Sequence, residues 1–371
     1  MRGGGTAKNR YANIDLLRFI CAVSVVFEHF CETSAHNAFG YTYSVSFPAH
    51  VMLRLMYGIA RTAVPVFFIL SGYLSVTSTK QKFGKGFNLY FMTLAYSFIP
   101  QVASFGWNLL HGNFVIPSLG ISQILASNYY LYLFCAVYIL SPFINKMVAS
   151  LSKNQYRNLI IFAVLLFSVW STVINTVASL MGNDSLYGVY FTSRTGTSMG
   201  FNVANFLTMY LVGGYLRLHY IKNAQRDRII ALLAILSSTV ITSIGKLLST
   251  RLSKAFLYYD SIFVVLAAIA VVVLFLNINI PSSKMISLFA INTYGTYLLH
   301  GFANTCVEKV ITIEKVVSRG FAGTLLGILI FVVGVYLLSL VMNMVIQYAT
   351  KPINNIWKKT KIFNLKFMPE D

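Results

Sequence analysis

The chain has 371 residues, 57% of them hydrophobic and only 11% charged, with a mean hydropathy of +0.68. A soluble domain carries about 25% charged residues, so these few charges cannot cover a water-facing surface, and the disordered, collagenous and disulfide-rich secreted classes are excluded as well. The net charge of +19 would suggest nucleic acid in a soluble protein, but here the basic residues lie between apolar runs, where topology and anionic lipid account for them.

A spanning helix needs about 20 mostly apolar residues, and about ten segments meet that requirement. They are 13–31, 53–77, 89–110, 128–149, 158–180, 201–219, 229–249, 259–280, 286–306 and 321–348. The fold class expected is an all-α polytopic membrane protein. Long continuous apolar runs argue against a barrel of short alternating strands. The expected division is an N-terminal segment 1–12, a ten-helix bundle 13–348 and a basic tail 349–371. Lys and Arg crowd the N-terminus (Arg2, Lys8, Arg10) and alternate connections (Lys80, Lys82, Lys85; Lys153, Arg157; Lys222, Arg226, Arg228), whereas 32–51 and 111–127 contain none. The positive-inside rule then places both termini in the cytoplasm. The first segment has charges in its apolar core and no small-residue cleavage pattern, so it reads as a retained span. Cys21, Cys31, Cys135 and Cys306 lack metal-ligand spacing and read as small hydrophobes. No metal site is expected.

Ionisable groups inside a span are costly, by about 2.5–3.5 kcal/mol each, and mark function by default. The first span, NIDLLRFICAVSVVFEHFC, holds Asp15, Arg18, Glu28 and His29. Asp15 and Arg18 are i,i+3 neighbours able to pair. Arg18 and His29 are eleven apart, three turns plus roughly 20°, and so share a face, separated by about 16 Å of rise. Glu28 points about 100° away, toward another partner or the interface. The plainer alternative is a structural Asp15–Arg18 pair with His29 near the headgroups. In the second span, RTAVPVFFILSGYLSV, Pro65 removes a helical hydrogen bond and Ser71-Gly72 permits close helix approach. Arg61, four residues before the proline, reads there as a snorkelling arginine on a kinked packing helix. The ninth span ends NTYGTYLLH, with Tyr294, Tyr297 and His300 at i,i+3,i+6, which reads as an aromatic belt with an interfacial histidine.

Several of these stretches together resemble the acyltransferase-3 family of integral membrane acyltransferases. NIDLLRFICAVSVVFEHF is similar to its opening signature, an arginine and a histidine with ten residues between them, here Arg18 and His29. VPVFFILSGYL, NYYLYLFCAVYILSPFINK, FLTMYLVGGYLR, INTYGTYLLH and KPINN resemble later family patterns and follow in order along the chain. Two departures stand out. The arginine-rich segment that usually follows the second span is TKQKFGKGFNLYF here, with Lys80, Lys82 and Lys85, and tyrosines replace the usual histidine–tryptophan pair of the fourth span.

The resemblance implies a ten-helix enzyme of the plasma membrane. It would move an acyl group, commonly acetyl, from cytoplasmic acyl-CoA to a hydroxyl of a cell-surface carbohydrate or lipid-linked glycan, beside polysaccharide-assembly proteins. The chain stops soon after the tenth span, so the standalone type is expected. No bound cofactor is implied, acyl-CoA being a substrate. Acyl transfer needs a base or nucleophile, and His29 supplies either a proton acceptor or a transient acyl-histidine. Arg18 would hold the donor or stabilise the oxyanion, Asp15 would fix Arg18, and Lys80, Lys82 and Lys85 would meet the CoA phosphates. Arg61, Ser71, Tyr73, Tyr297 and His300 are candidates for the lining. The same intramembrane Asp, Arg and His could instead form the relay of a transporter or glycan translocator. A non-catalytic scaffold is the third reading.

Overall fold

The computed structural model describes residues 11–32, 38–78, 82–112, 129–183, 200–248, 250–312, 315–316 and 320–366. Among these the chain is all-helical apart from one isolated antiparallel bridge, Lys82 to Lys366. The helices, in order, are α1 (Ala12–Glu32), α2 (Ala38–Val45), α3 (Phe47–Ala60), α4 (Ala63–Ser75), α5 (Phe83–Leu110), α6 (Tyr129–Ala149) and α7 (Lys153–Met181, with a π turn at Leu165–Val169). They continue with α8 (Val203–His219), α9 (Ala224–Leu248), α10 (Thr250–Leu257), α11 (Ile262–Leu276), α12 (Lys284–Glu308), α13 (Gly320–Trp357) and α14 (Lys361–Asn364).

Each of the ten expected segments lies mainly on helix. Among the described residues six stretches are both long and apolar enough to cross a membrane: Phe47–Ser75, Leu131–Ala149, Lys153–Met181, Ala224–Gly245, Ala255–Leu276 and Gly320–Trp357. The protein is a multi-pass membrane protein. Many leucine, isoleucine, valine and phenylalanine side chains are exposed, as on α9 and α13, which is the surface that lipid requires. Helix α1 falls outside the six because Asp15, Arg18 and Glu28 interrupt its apolar run.

Local chemistry sets several helix starts. Ser152 and Gln155 form a reciprocal capping box at α7, and the Asn202 side chain accepts from the Asn205 amide at α8. The second expected span is divided. Helix α3 ends at Ala60, Arg61 and Thr62 form a turn, and α4 begins at Ala63. Pro65 therefore sits in the first turn of α4, where its missing N–H leaves no partner unsatisfied.

The core is organised around α4. Its tightest partner is α8, because a Cβ on Gly72 would run into the Tyr210 backbone and one on Gly213 into the Ile69 carbonyl. These glycines let the two backbones touch, as the Ser71-Gly72 step suggests. Phe68 and Phe206 stack at 4.0 Å beside the crossing. Asn145 of α6 locks the end of α4 by donating to the Ser75 and Ser78 carbonyls at 2.7 and 2.6 Å, while it accepts from Tyr210 at 2.8 Å. Helix α1 packs chiefly on α12, and α12 on α13. Gly295 of α12 gives room to Asn343 of α13, which bonds Asn292 and Tyr96, each at 2.8 Å. All four cysteines are free thiols, three of them buried.

Candidate active site

Two polar regions occupy successive levels of α1. The first is a cavity of about 370 Å³ between α1, α4, α5, α6, α8 and α12. Arg18, Ser71, Lys85, Tyr138, Tyr210 and Tyr297 are among its walls. Its lining is apolar and hydroxyl-bearing with two cations, a surface suited to a flexible anionic ligand that carries an apolar arm. Arg18 is half-buried. Lys85 is exposed and lies 5.8 Å from the centre of the Tyr138 ring. Ser71 donates to the Phe67 carbonyl at 2.8 Å, so its hydroxyl oxygen keeps an accepting lone pair.

The second region lies near the C-terminal end of α1. The His29 ring stands 4.8 Å from that of His300 on α12, and His300 stands 5.3 Å from Tyr297, which itself borders the cavity. His29 retains accessible surface although Glu28 and Phe30 on either side are buried. His300 is 9% exposed. Its Nδ1 contacts the Tyr297 carbonyl. A carbonyl only accepts, so Nδ1 carries the hydrogen, and in the neutral ring Nε2 holds the lone pair. Arg18 thus borders the cavity, and His29, further along α1, meets His300 of α12.

Behind His29 lies a buried ion pair. Glu28 Oε2 accepts from Arg61 Nη1 at 3.1 Å and from the Tyr259 hydroxyl at 2.8 Å. Arg61 also donates to Tyr259 Oη at 2.9 Å and through Nε to the Leu257 carbonyl at 3.0 Å, with its guanidinium 3.9 Å from the Tyr259 ring centre. Arg61 is 5% exposed and Glu28 3%. The snorkelling expectation for Arg61 is therefore corrected: the break between α3 and α4 turns this side chain inward, where Glu28 compensates its charge. Of the two orientations left open for Glu28, a partner or the interface, the structure shows the partner, Arg61. The belt expectation for the ninth span gives way similarly, since Tyr294 and Tyr297 face the cavity and His300 faces His29.

The remaining candidates separate. Asp15 is buried at the start of α1. Tyr73 lies under Arg217, 5.3 Å from its guanidinium, and edge-on to Tyr11. Lys82 donates to Asn364 of the tail at 2.7 Å. Lys80 lies outside the described residues. The sequence reading missed Tyr259, Tyr138 and Tyr210. Tyrosines are common in this chain, and nothing in their local sequence marks which ones face inward. An unmatched acid in one span and an unmatched base in the next was the available signal for Glu28–Arg61.

With this geometry in view, the match to a family model becomes decisive: the acyltransferase-3 model, described as an acyltransferase domain, aligns with residues 11–344. The chain belongs to the acyltransferase-3 family. No curated protein and no solved structure matches it. The chain is thus a membrane acyltransferase, and the region that holds Arg18, His29, the cavity and the Glu28–Arg61 pair falls within the matched residues. Among the described residues no group of three His, Cys, Asp or Glu side chains is arranged to hold a metal ion.

Proposed function

We propose that this acyltransferase is an O-acyltransferase, most simply an O-acetyltransferase, of the plasma membrane. It takes the acyl group from cytoplasmic acyl-CoA and delivers it to a hydroxyl of a cell-surface carbohydrate or lipid-linked glycan. The protein crosses the bilayer ten times with both termini inside, the helices α1, α5, α8 and α12 adding to the six most apolar stretches. The observation that carries the reading is the placement of Arg18 on the wall of a cavity that α12 also borders, with the His29–His300 pair further along α1.

The helical rise separates the two residues by about 16 Å, so one small reacting centre does not touch both. Arg18 and Lys85 hold the anionic and amide-bearing parts of the donor, with Asp15 behind Arg18. The thioester reaches along the cavity past Tyr297, and Ser71 lines its path. His29 accepts the proton of the acceptor hydroxyl as that oxygen attacks the thioester carbon. The carbon–sulfur bond then breaks and the CoA thiolate leaves, to be protonated by water or by the imidazolium. In the acyl-histidine route the His29 imidazole first displaces the CoA thiolate, and the acceptor oxygen then attacks the acyl-imidazole and displaces the imidazole, its proton passing to the CoA thiolate or to water. Rapid-quench trapping of labelled protein separates the two routes.

The test is mass spectrometry of the surface glycan from cells lacking the gene and complemented with wild type or His29→Ala. Loss of an acyl mass in the deletion, restored by wild type and not by the variant, supports the reading. Full acylation with His29→Ala overturns it, and glycan transport without CoA release would identify a translocator.

A further inference from the structure

Beyond acyl transfer, the molecule contains a second buried polar region on the far side of Tyr259. The apolar stretch Ala255–Leu276 is not one helix. Helix α10 ends at Leu257, α11 starts at Ile262, and Tyr258–Ser261 between them is non-helical and buried. Irregular backbone within a membrane protein's core is tolerated where protein buries it or where it lines a cavity. Two other irregular features meet it. One is the π turn Leu165–Val169 of α7, a geometry enriched at functional positions. The other is the start of α8, preceded by Gly200 at φ +84°, where a Cβ would lie 3.0 Å from Asp260 Oδ1.

Side chains tie the three together. Ser171 donates to Asp260 Oδ2 at 2.7 Å. Thr172 bonds the Ser168 carbonyl and accepts from the Ile262 amide. Asn205 donates to the Gly200 and Tyr259 carbonyls at 3.1 and 3.2 Å. Yet four buried oxygens carried by these contacting segments have no hydrogen-bond partner: Asp260 Oδ1, Asn205 Oδ1, Ser168 Oγ and Ser261 Oγ. Their residues are 1%, 0%, 0% and 1% exposed. Buried polar atoms are rarely left unpaired, and a buried carboxylate without a compensating charge is costlier still. Among the described residues no basic side chain is paired with Asp260.

We propose that this region binds one small monovalent cation of the size and hardness of Na+, with Asp260 as the anionic donor and Asn205, Ser168 and Ser261 as neutral oxygen donors. The donor set is all oxygen, which selects a hard cation. A single carboxylate balances a single positive charge, whereas Ca2+ sites assemble several charged ligands and Mg2+ keeps most of its water. A water molecule would satisfy the hydroxyls and the amide but would leave the carboxylate uncompensated. The cation also has a structural consequence. It fixes the Tyr258–Ser261 stretch, and that stretch presents the Tyr259 hydroxyl to Glu28 and Arg61 beside His29.

The experiment is thermal unfolding of the full-length protein, purified in detergent, with NaCl exchanged stepwise for choline chloride at constant ionic strength. It needs neither donor nor acceptor, so it is independent of the acyl-transfer reading. Wild type should gain an upward Tm shift that saturates with Na+. Asp260→Asn should lose the shift, and Ser261→Ala should need higher Na+ to reach it. An equal shift with K+ still supports a monovalent site. Two results overturn the proposal: the same Tm in sodium and choline, which means ordered water or a protonated carboxyl, or an Asp260→Asn protein that responds to Na+ as wild type does. If Asp260→Asn fails to fold, the Ser261→Ala and Asn205→Ala titrations decide, since unchanged half-saturation in both would also overturn it.

Discussion

Arg18 and Arg61 are both arginines set within apolar helices, yet the molecule treats them oppositely. Arg18 is half-buried and forms part of a cavity wall with Lys85, Ser71 and several tyrosines. Arg61 is buried and bonded to Glu28, Tyr259 and the Leu257 carbonyl. A guanidinium that meets a ligand needs accessible surface. One that organises a fold needs every donor matched, because an unmatched buried charge is strongly destabilising. The first region has the accessible surface that an incoming molecule would need, whereas the second holds α1, α3 and the Leu257–Ser261 stretch together.

The largest expected effect falls on the reactive end of this contrast. His29→Ala should abolish acyl incorporation from labelled acyl-CoA while the purified protein keeps its elution profile and Tm. Arg18→Lys should follow, with a severe rise in the donor KM and a preserved fold, because a lysine keeps the charge but loses the planar fork. A wild-type KM would remove Arg18 from the donor site. The Arg61 region should behave the other way around. Arg61→Leu or Glu28→Leu alone should destabilise by about 3–5 kcal/mol. The double variant Glu28→Leu/Arg61→Leu should lose less than the sum, as measured by denaturation in detergent. Strict additivity would mean the pair is not coupled. Gly72→Ala, outside both regions, forces the α4–α8 crossing apart against the Tyr210 backbone and should cost about 1–3 kcal/mol. Smallest of all, Lys82→Ala removes one exposed bond to Asn364 and should stay within about 0.5 kcal/mol.

Much of the architecture follows from composition alone. Ten apolar segments become helices because a chain with so few charges must satisfy its backbone internally. The eleven-residue separation of Arg18 and His29 fixes their angular relation through the pitch of one helix, while the structure sets Arg18 on the cavity wall and His29 beside His300. The small residues at Ser71-Gly72 mark the closest crossing for the same local reason: without a Cβ, backbones can approach. These are properties of single helices, set by residues near each other in the chain.

Other features depended on partners distant in sequence. The salt bridge of Arg61 spans from residue 28 to residue 61, and its other contacts come from 257 and 259. Nothing near Arg61 in sequence distinguishes a snorkelling side chain from a buried one. The same limit applies to His300, whose inward aim depends on how α1 packs against α12, and to the unpartnered oxygens carried by α7, α8 and the α10–α11 break. Periodicity along one helix specifies which residues share a stripe. Which stripe meets which is a property of the packed bundle, because the burial and charge compensation that decide it exist only when the helices are together.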